Sequence, residues 1–383
     1  MFQKKSVIKF LVVITVAVIG ACSPKPRMME FETVFHTTLG EELNEVGSNL
    51  PLLKMTMNED ESYLFESYID IPDSFQIFRN KLYIADKYNR RISVFNLSMN
   101  PITNMIIPNK SADYEFGIPF QVALNKYGEI FVLASESTNS DPTNYEQYYI
   151  YKFSFEGKFI YRLGVNGINS APMEYPDRID IDLFDNLYVY HRDYSDDYLK
   201  WQVNRFSTSG EMNFSFNTKY ISMTNQTGNK TYAGQISDVY NLKNDERMLF
   251  YMNYYLIEDD GKKIETPTDY YNSLNVYSIL QNAITKNIFN SKQNIDGMLA
   301  ITRDDEIVLY SYDDRNNAIR FRFINISDAQ IREEFHYAPN IAEFYPSTRH
   351  FIDPSGDIYS ILIKDNAHFV LIRWKKLKKL TEA

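Results

Sequence analysis

Residues 80–95 read Asn80-Lys81-Leu82-Tyr83-Ile84-Ala85-Asp86-Lys87-Tyr88-Asn89-Arg90-Arg91-Ile92-Ser93-Val94-Phe95. A polar turn opens the stretch, an apolar run rich in strand formers follows, and a tight polar turn leads into a second run of the same kind. Turn residues bounding short β-branched and aromatic runs predict two antiparallel strands.

The pattern recurs. Weaker copies contain Tyr127-Gly128-Glu129-Ile130-Phe131-Val132, Asp185-Asn186-Leu187-Tyr188-Val189, Asp245-Glu246-Arg247-Met248-Leu249-Phe250, Asp304-Asp305-Glu306-Ile307-Val308-Leu309 and Ser355-Gly356-Asp357-Ile358-Tyr359-Ser360. Leu82, Ile130, Leu187, Met248, Ile307 and Ile358 align at intervals of 48, 57, 61, 59 and 51 residues. Several units end in a further hairpin, with Glu156-Gly157 and Ser209-Gly210 as the turns. Four strands per unit and six units predict an all-β, six-bladed β-propeller. The intervals exceed the usual propeller repeat, so the middle units carry inserted loops.

The first unit resembles the NHL repeat, whose turn, apolar strand, Asn-x-Arg-Ile element and Val-Phe strand match Asn80, Leu82 to Asp86, Asn89 to Ile92 and Val94-Phe95. The resemblance implies the same propeller fold across residues 52–374. It is close only in the first unit: units four and five lack the Asn-x-Arg-Ile element, apart from an echo at Asn316-Asn317-Ala318-Ile319.

The sixth unit lacks a fourth strand after His368 to Trp374, so a donor strand is needed to close the ring. By the spacing found in the second unit, residues 52–57 are expected to supply it. An unclosed edge would expose a row of unpaired N–H and C=O groups.

Ahead of the repeats, Lys4, Lys5 and Lys9 precede the apolar run Phe10 to Ile19, and Ile19-Gly20-Ala21-Cys22 follows. Ten apolar residues are too few to span a bilayer, which needs about 20. The pattern reads as an export signal, and Cys22, the only cysteine, resembles the acylated residue of a bacterial lipobox. The expected organisation is a signal peptide over 1–21, a tether over 22–51, the propeller over 52–374 and a basic tail over 375–383. The run from Arg373 to Lys379 reads as a solvated tail in preference to a lipid-binding patch. Localisation follows: the cell envelope, facing the periplasm or the surface. Ser23, in place of a retention aspartate, favours the outer membrane.

Cleavage removes three lysines and moves the net charge from −10 to −13. Nucleic acid, which demands a basic face, is a poor partner for such a chain. Expected partners are the membrane, through the lipid, and an envelope protein or cell-wall ligand, bound by a monomer.

Function in a propeller lies on its faces. The connections from second to third strand are tight at 86–90, 313–317 and 364–367 but long at 135–147, 191–200 and 255–272. A long link over 221–235 joins them on the same face. Tyr145, Tyr194, Tyr198 and the nearby Trp201 are the expected ligand anchors, because rigid amphipathic rings suit interfaces.

Signals for catalysis are thin, and no catalytic residue, cofactor or metal is assigned. His36, His191, His336, His350 and His368 are scattered, with no pair at ligand spacing. The propeller resemblance implies an alternative, a lactonase-like hydrolase or lyase with a channel metal, for which Asp180, Asp182 and Asp296 are the candidate carboxylates. Asp193, Asp196 and Asp197 lack calcium-loop spacing.

Overall fold

The computed structural model describes residues 27–48, 71–97 (without 73), 103–135, 147–164, 176–193, 200–218, 224–256 (without 228–229 and 244–245), 270–291, 297–337 (without 303 and 314–317) and 349–376 (without 354–355 and 366). Its 25 named elements are all β-strands. After an N-terminal strand β1 (Arg27–Thr38), the chain lays down six antiparallel blades from the centre outward. Blade A holds β2 (Phe75–Phe78), β3 (Lys81–Asp86), β4 (Arg91–Asn96) and β5 (Thr103–Pro108). Blade B holds β6 (Pro119–Leu124), β7 (Ile130–Ser135), β8 (Tyr148–Phe153) and β9 (Phe159–Leu163). In blade C come β10 (Pro176–Ile181), β11 (Leu187–Asp193), β12 (Lys200–Phe206) and β13 (Met212–Asn217). Blade D adds a short strand β14 (Thr224–Thr227) to β15 (Lys230–Asn241), β16 (Arg247–Leu256), β17 (Tyr270–Ser278) and β18 (Ala283–Ser291). Blade E holds β19 (Gly297–Ile301), β20 (Glu306–Asp313), β21 (Ala318–Asn325) and β22 (Ile331–Tyr337). Blade F has β23 (Arg349–Ile352), β24 (Ile358–Lys364) and β25 (His368–Lys376), and β1 is its fourth strand. The molecule is a six-bladed β-propeller.

Both faces of each blade are buried, which explains why the second strands read as unbroken apolar runs. On β3, Leu82 and Ile84 pack towards blade F while Tyr83 and Ala85 pack towards blade B. Each of the six hydrophobic clusters fills one junction between neighbouring blades. Leu82, Ile130, Leu187, Met248, Ile307 and Ile358 all lie on second strands and are at most 1% exposed. The repeat alignment is therefore the alignment of the blades.

Ring closure differs from the expectation. The strand against β25 is β1, not residues 52–57, which lie outside the described residues. Its register runs from Met29 opposite Lys376 to Thr38 opposite His368, with a bulge between Thr33 and Phe35. Phe35 is fully buried between Phe95 of blade A and Phe369 of blade F, at centroid distances of 5.1 and 6.3 Å. Glu32 accepts a hydrogen bond from Arg373 Nε (2.8 Å). Part of the expected tether is thus a structural strand.

The chain then clips onto blade A. Arg91 Nη2 donates to the carbonyls of Glu42 (2.7 Å) and Glu45 (2.8 Å), Asn89 Nδ2 donates to the Gly40 carbonyl (3.0 Å), and Asp86 Oδ1 accepts from the Gly47 amide (3.1 Å). The polar residues of the opening motif hold this latch. Burial pushes the Asp86 carboxyl above its ordinary range, against the pull of Asn89 and Arg91.

Candidate functional site

The disc has two unlike faces. On one, called here the loop face, lie the second-to-third connections, the links between blades and the latch. The opposite, turn face carries the hairpin turns between first and second strands and between third and fourth strands.

Blade D makes the loop face uneven. Its second strand has 10 residues against six in blades A and B, and the excess rises on the loop face by about 13 Å. Two stretches read as connections are partly strand: 224–227 pair with 230–233, and residues 255–256 and 270–272 extend the wall. Tyrosines stiffen it. Tyr254 stacks on Tyr271 at 4.7 Å and 10°, and Tyr232 meets Tyr271 edge-on at 5.2 Å.

Below the wall, at the junction of blades C and D, sits a charged aromatic cage. Arg178 on β10 lies over the rings of Tyr190 and Tyr240, each 4.4 Å from the guanidinium carbon, with Trp201 at 5.3 Å. Asp238 on β15 accepts Arg178 at 2.8 Å, and Asp177 bridges Arg178 (3.3 Å) and Arg192 (2.8 Å). Burial opposes the Arg178 charge, but Asp238 and the oxygens of Tyr240 and Tyr190 outweigh it and raise its pKa, so it stays a cation. Burial likewise raises Tyr190 and Tyr240, which stay neutral phenols at neutral pH. Burial also pushes Asp177 up, with Arg178 and Arg192 pulling it back. Two guanidinium groups face two carboxylates, so the cage is internally balanced. It fixes the base of the wall and offers no nucleophile.

The expected anchors fare unevenly. Tyr145, Tyr194 and Tyr198 lie outside the described residues. Trp201 is a correction: it is 0% exposed, inside the C–D junction, with the Arg192 guanidinium 4.9 Å from its ring. Its place on β12, alternating with buried Val203, turns it inward, so it supports the face without touching a partner.

Candidate metal residues are engaged elsewhere. Asp180 pairs with Lys243. Asp182 Oδ1 accepts the amides of Phe184 (2.9 Å) and Asn186 (2.8 Å), capping a turn. Asp296 and the Asp196–Asp197 pair lie outside the described residues, as does the Asp193 side chain. Buried His191 contacts Asn204 at 3.3 Å, and His336 bonds Glu334 at 2.9 Å. The His350 side chain is not among those described. No group of three or more His, Cys, Asp or Glu among the described residues is placed to hold a metal ion.

One arrangement was invisible in the sequence. His36 and His368, far apart in the chain, share a cavity of about 560 Å³ with Thr38, Glu42, Asn44 and Glu45 of the latch. The Nδ1 atoms of both histidines are buried without a hydrogen-bond partner among the described residues. Glu45 is held below the ordinary carboxylate range by the Glu42 amide and the Thr38 hydroxyl. Only the β1–β25 register brings the two histidines together.

No family model matches the chain, and no curated protein matches it. Solved structures do. Hydrazine synthase of Kuenenia stuttgartiensis aligns at 10% identity over 79% of this chain and 78% of its own, TM-score 0.44. The polysaccharide lyase Uly1 aligns at 10% identity over 92% and 98%, TM-score 0.44. A streptogramin B lyase aligns at 11% over 79% and 93%, TM-score 0.38. At such identities and scores these likenesses carry no argument about activity.

Proposed function

We propose that this chain is a lipid-anchored, extracytoplasmic propeller that works as a binding module of the bacterial cell envelope. In this reading the loop face engages an envelope protein or a cell-wall ligand. The observation that carries it is the wall of blade D, a rigid, tyrosine-packed ridge raised on the face where three consecutive blades have long connections. Such a ridge gives a partner a preformed surface, which lowers the ordering cost of association. The charged groups beneath it are paired with one another, so they suit support better than acid–base chemistry.

Two experiments test this. Cys22→Ser should move the protein from the detergent to the aqueous phase on partitioning; equal partitioning of both forms would remove the anchor. Replacing Tyr194 and Tyr198 together by Ala should leave the melting temperature in place and weaken capture of the envelope partner in quantitative cross-linking. Loss of an aromatic anchor worth about 2 kcal/mol is on the order of thirtyfold in affinity. An unchanged partner profile would refute a role for this face.

A further inference from the structure

We infer that the turn face lies against the membrane, with Tyr127, Phe184 and Leu280 seated in the lipid interface and the loop face held away from it. The inference rests on acylation of Cys22, and chain length decides the geometry. Four residues separate Cys22 from the start of β1 at Arg27. Five Cα steps reach at most about 18 Å. The 12 residues of β1 span about 40 Å. A lipid on Cys22 therefore cannot reach round the blade to the loop face. Met29 opposes Lys376 at the turn-face end of blade F, and Thr38 opposes His368 at the loop-face end. β1 thus enters from the turn face. β25 ends at this same edge, with Lys376 opposite Met29.

What this face displays fits a bilayer interface. Tyr127, Phe184 and Leu280 are 62%, 63% and 84% exposed; Ile284 follows the Leu280 turn at 41%, and Met212, at 47%, follows the other turn of blade C on this face. Five of the nine exposed large apolar side chains among the described residues therefore fall on one face, against Leu43 and Phe120 on the other. The tips are held outward by their turns. Asn125 Oδ1 accepts the amides of Tyr127 (3.1 Å) and Glu129 (2.9 Å), and Asp182 does the same for Phe184 in blade C. Gly128, at φ +84°, closes the first turn where a Cβ would sit 2.8 Å from Phe78. Lys126 lies over the Tyr127 ring at 5.2 Å, an amphipathic pair suited to the headgroup layer. Exposed Glu156, Glu211 and Glu246 share the face, so the contact is apolar rather than electrostatic and survives salt.

In the acylated protein the Cys22 sulfur is a thioether, so one introduced cysteine is the sole free thiol. Single variants Tyr127→Cys, Phe184→Cys, Leu280→Cys and, on the loop face, Leu43→Cys are labelled with an environment-sensitive fluorophore. They are then reconstituted on phosphatidylcholine vesicles with or without phosphatidylglycerol and with nitroxide-bearing lipid. The three turn-face labels should shift to the blue and lose emission to the nitroxide, at low and high salt alike, while the Leu43→Cys label stays unchanged. Vesicle flotation with unquenched turn-face labels, or quenching at position 43, overturns the orientation and leaves the anchor standing. Self-association of turn faces, seen as a doubled mass in detergent with protected labels, also overturns it. A wild-type chain whose Cys22 reacts with maleimide and which does not float removes the anchor and the orientation together.

Discussion

Phe35→Ala tests the closure of the ring at one side chain. Phe35 is fully buried, and its ring touches Phe95 of the first blade and Phe369 of the last, so it joins the two ends of the propeller. Truncating a buried Phe to Ala costs about 3–5 kcal/mol, the sum of lost transfer energy and the cavity left behind. Phe31, four residues earlier on the same strand, is 46% exposed and meets the edge of Trp374 at 5.4 Å. Its removal should cost about 1 kcal/mol. Urea unfolding of the purified protein measures both, with the slope held common so that the midpoint reports stability. Equal losses in the two variants, or a loss below about 1 kcal/mol at Phe35, would refute the placement of β1 between blades F and A.

Deleting residues up to 26 should leave a folded soluble domain, whereas deleting up to 48 removes β1 and the latch and should cause aggregation through the bare edge of β25; light scattering distinguishes them. Arg178→Ala leaves Asp238 without its guanidinium at the C–D junction and should destabilise by about 3–5 kcal/mol, with part recovered in the Arg178→Ala, Asp238→Asn double variant measured in the same urea series. The Asp177 carboxyl is raised above its ordinary 3.8 by burial. Below 3.8 both states hold the proton and this group's contribution to stability is fully present. As pH rises past 3.8 the unfolded chain ionises first, so that contribution falls, and it is lost once pH has climbed through the folded value. Asp177→Asn should flatten this part of the stability–pH profile, and a profile parallel to wild type would refute the shift.

The blades were legible because their signal is local and repeated. Leu82, Ile130 and Leu187 each sit one short turn after a first strand, and burial on both faces makes their runs continuously apolar. Closure was illegible for the opposite reason. β1 buries Phe35 and Thr37 but exposes Phe31 and Thr38, and the bulge after Thr33 breaks the two-residue period that marks a strand. Counting back from the next inner strand then failed, because 36 residues separate Thr38 from Phe75 where the second unit had suggested a short link. Trp201 was misplaced by its neighbourhood: it follows a long connection, yet it is the second residue of β12 and takes the inward phase of that strand. Asp86, Asn89 and Arg91 carried the family resemblance, and in the fold they bond the backbone at Gly40, Glu42, Glu45 and Gly47. Such contacts, some 50 residues apart in the chain, are set by the circular topology and have no local signature. The proposed orientation has the same origin: Met29 and Lys376 lie near opposite ends of the sequence, and only the antiparallel register of β1 on β25 brings them to one edge.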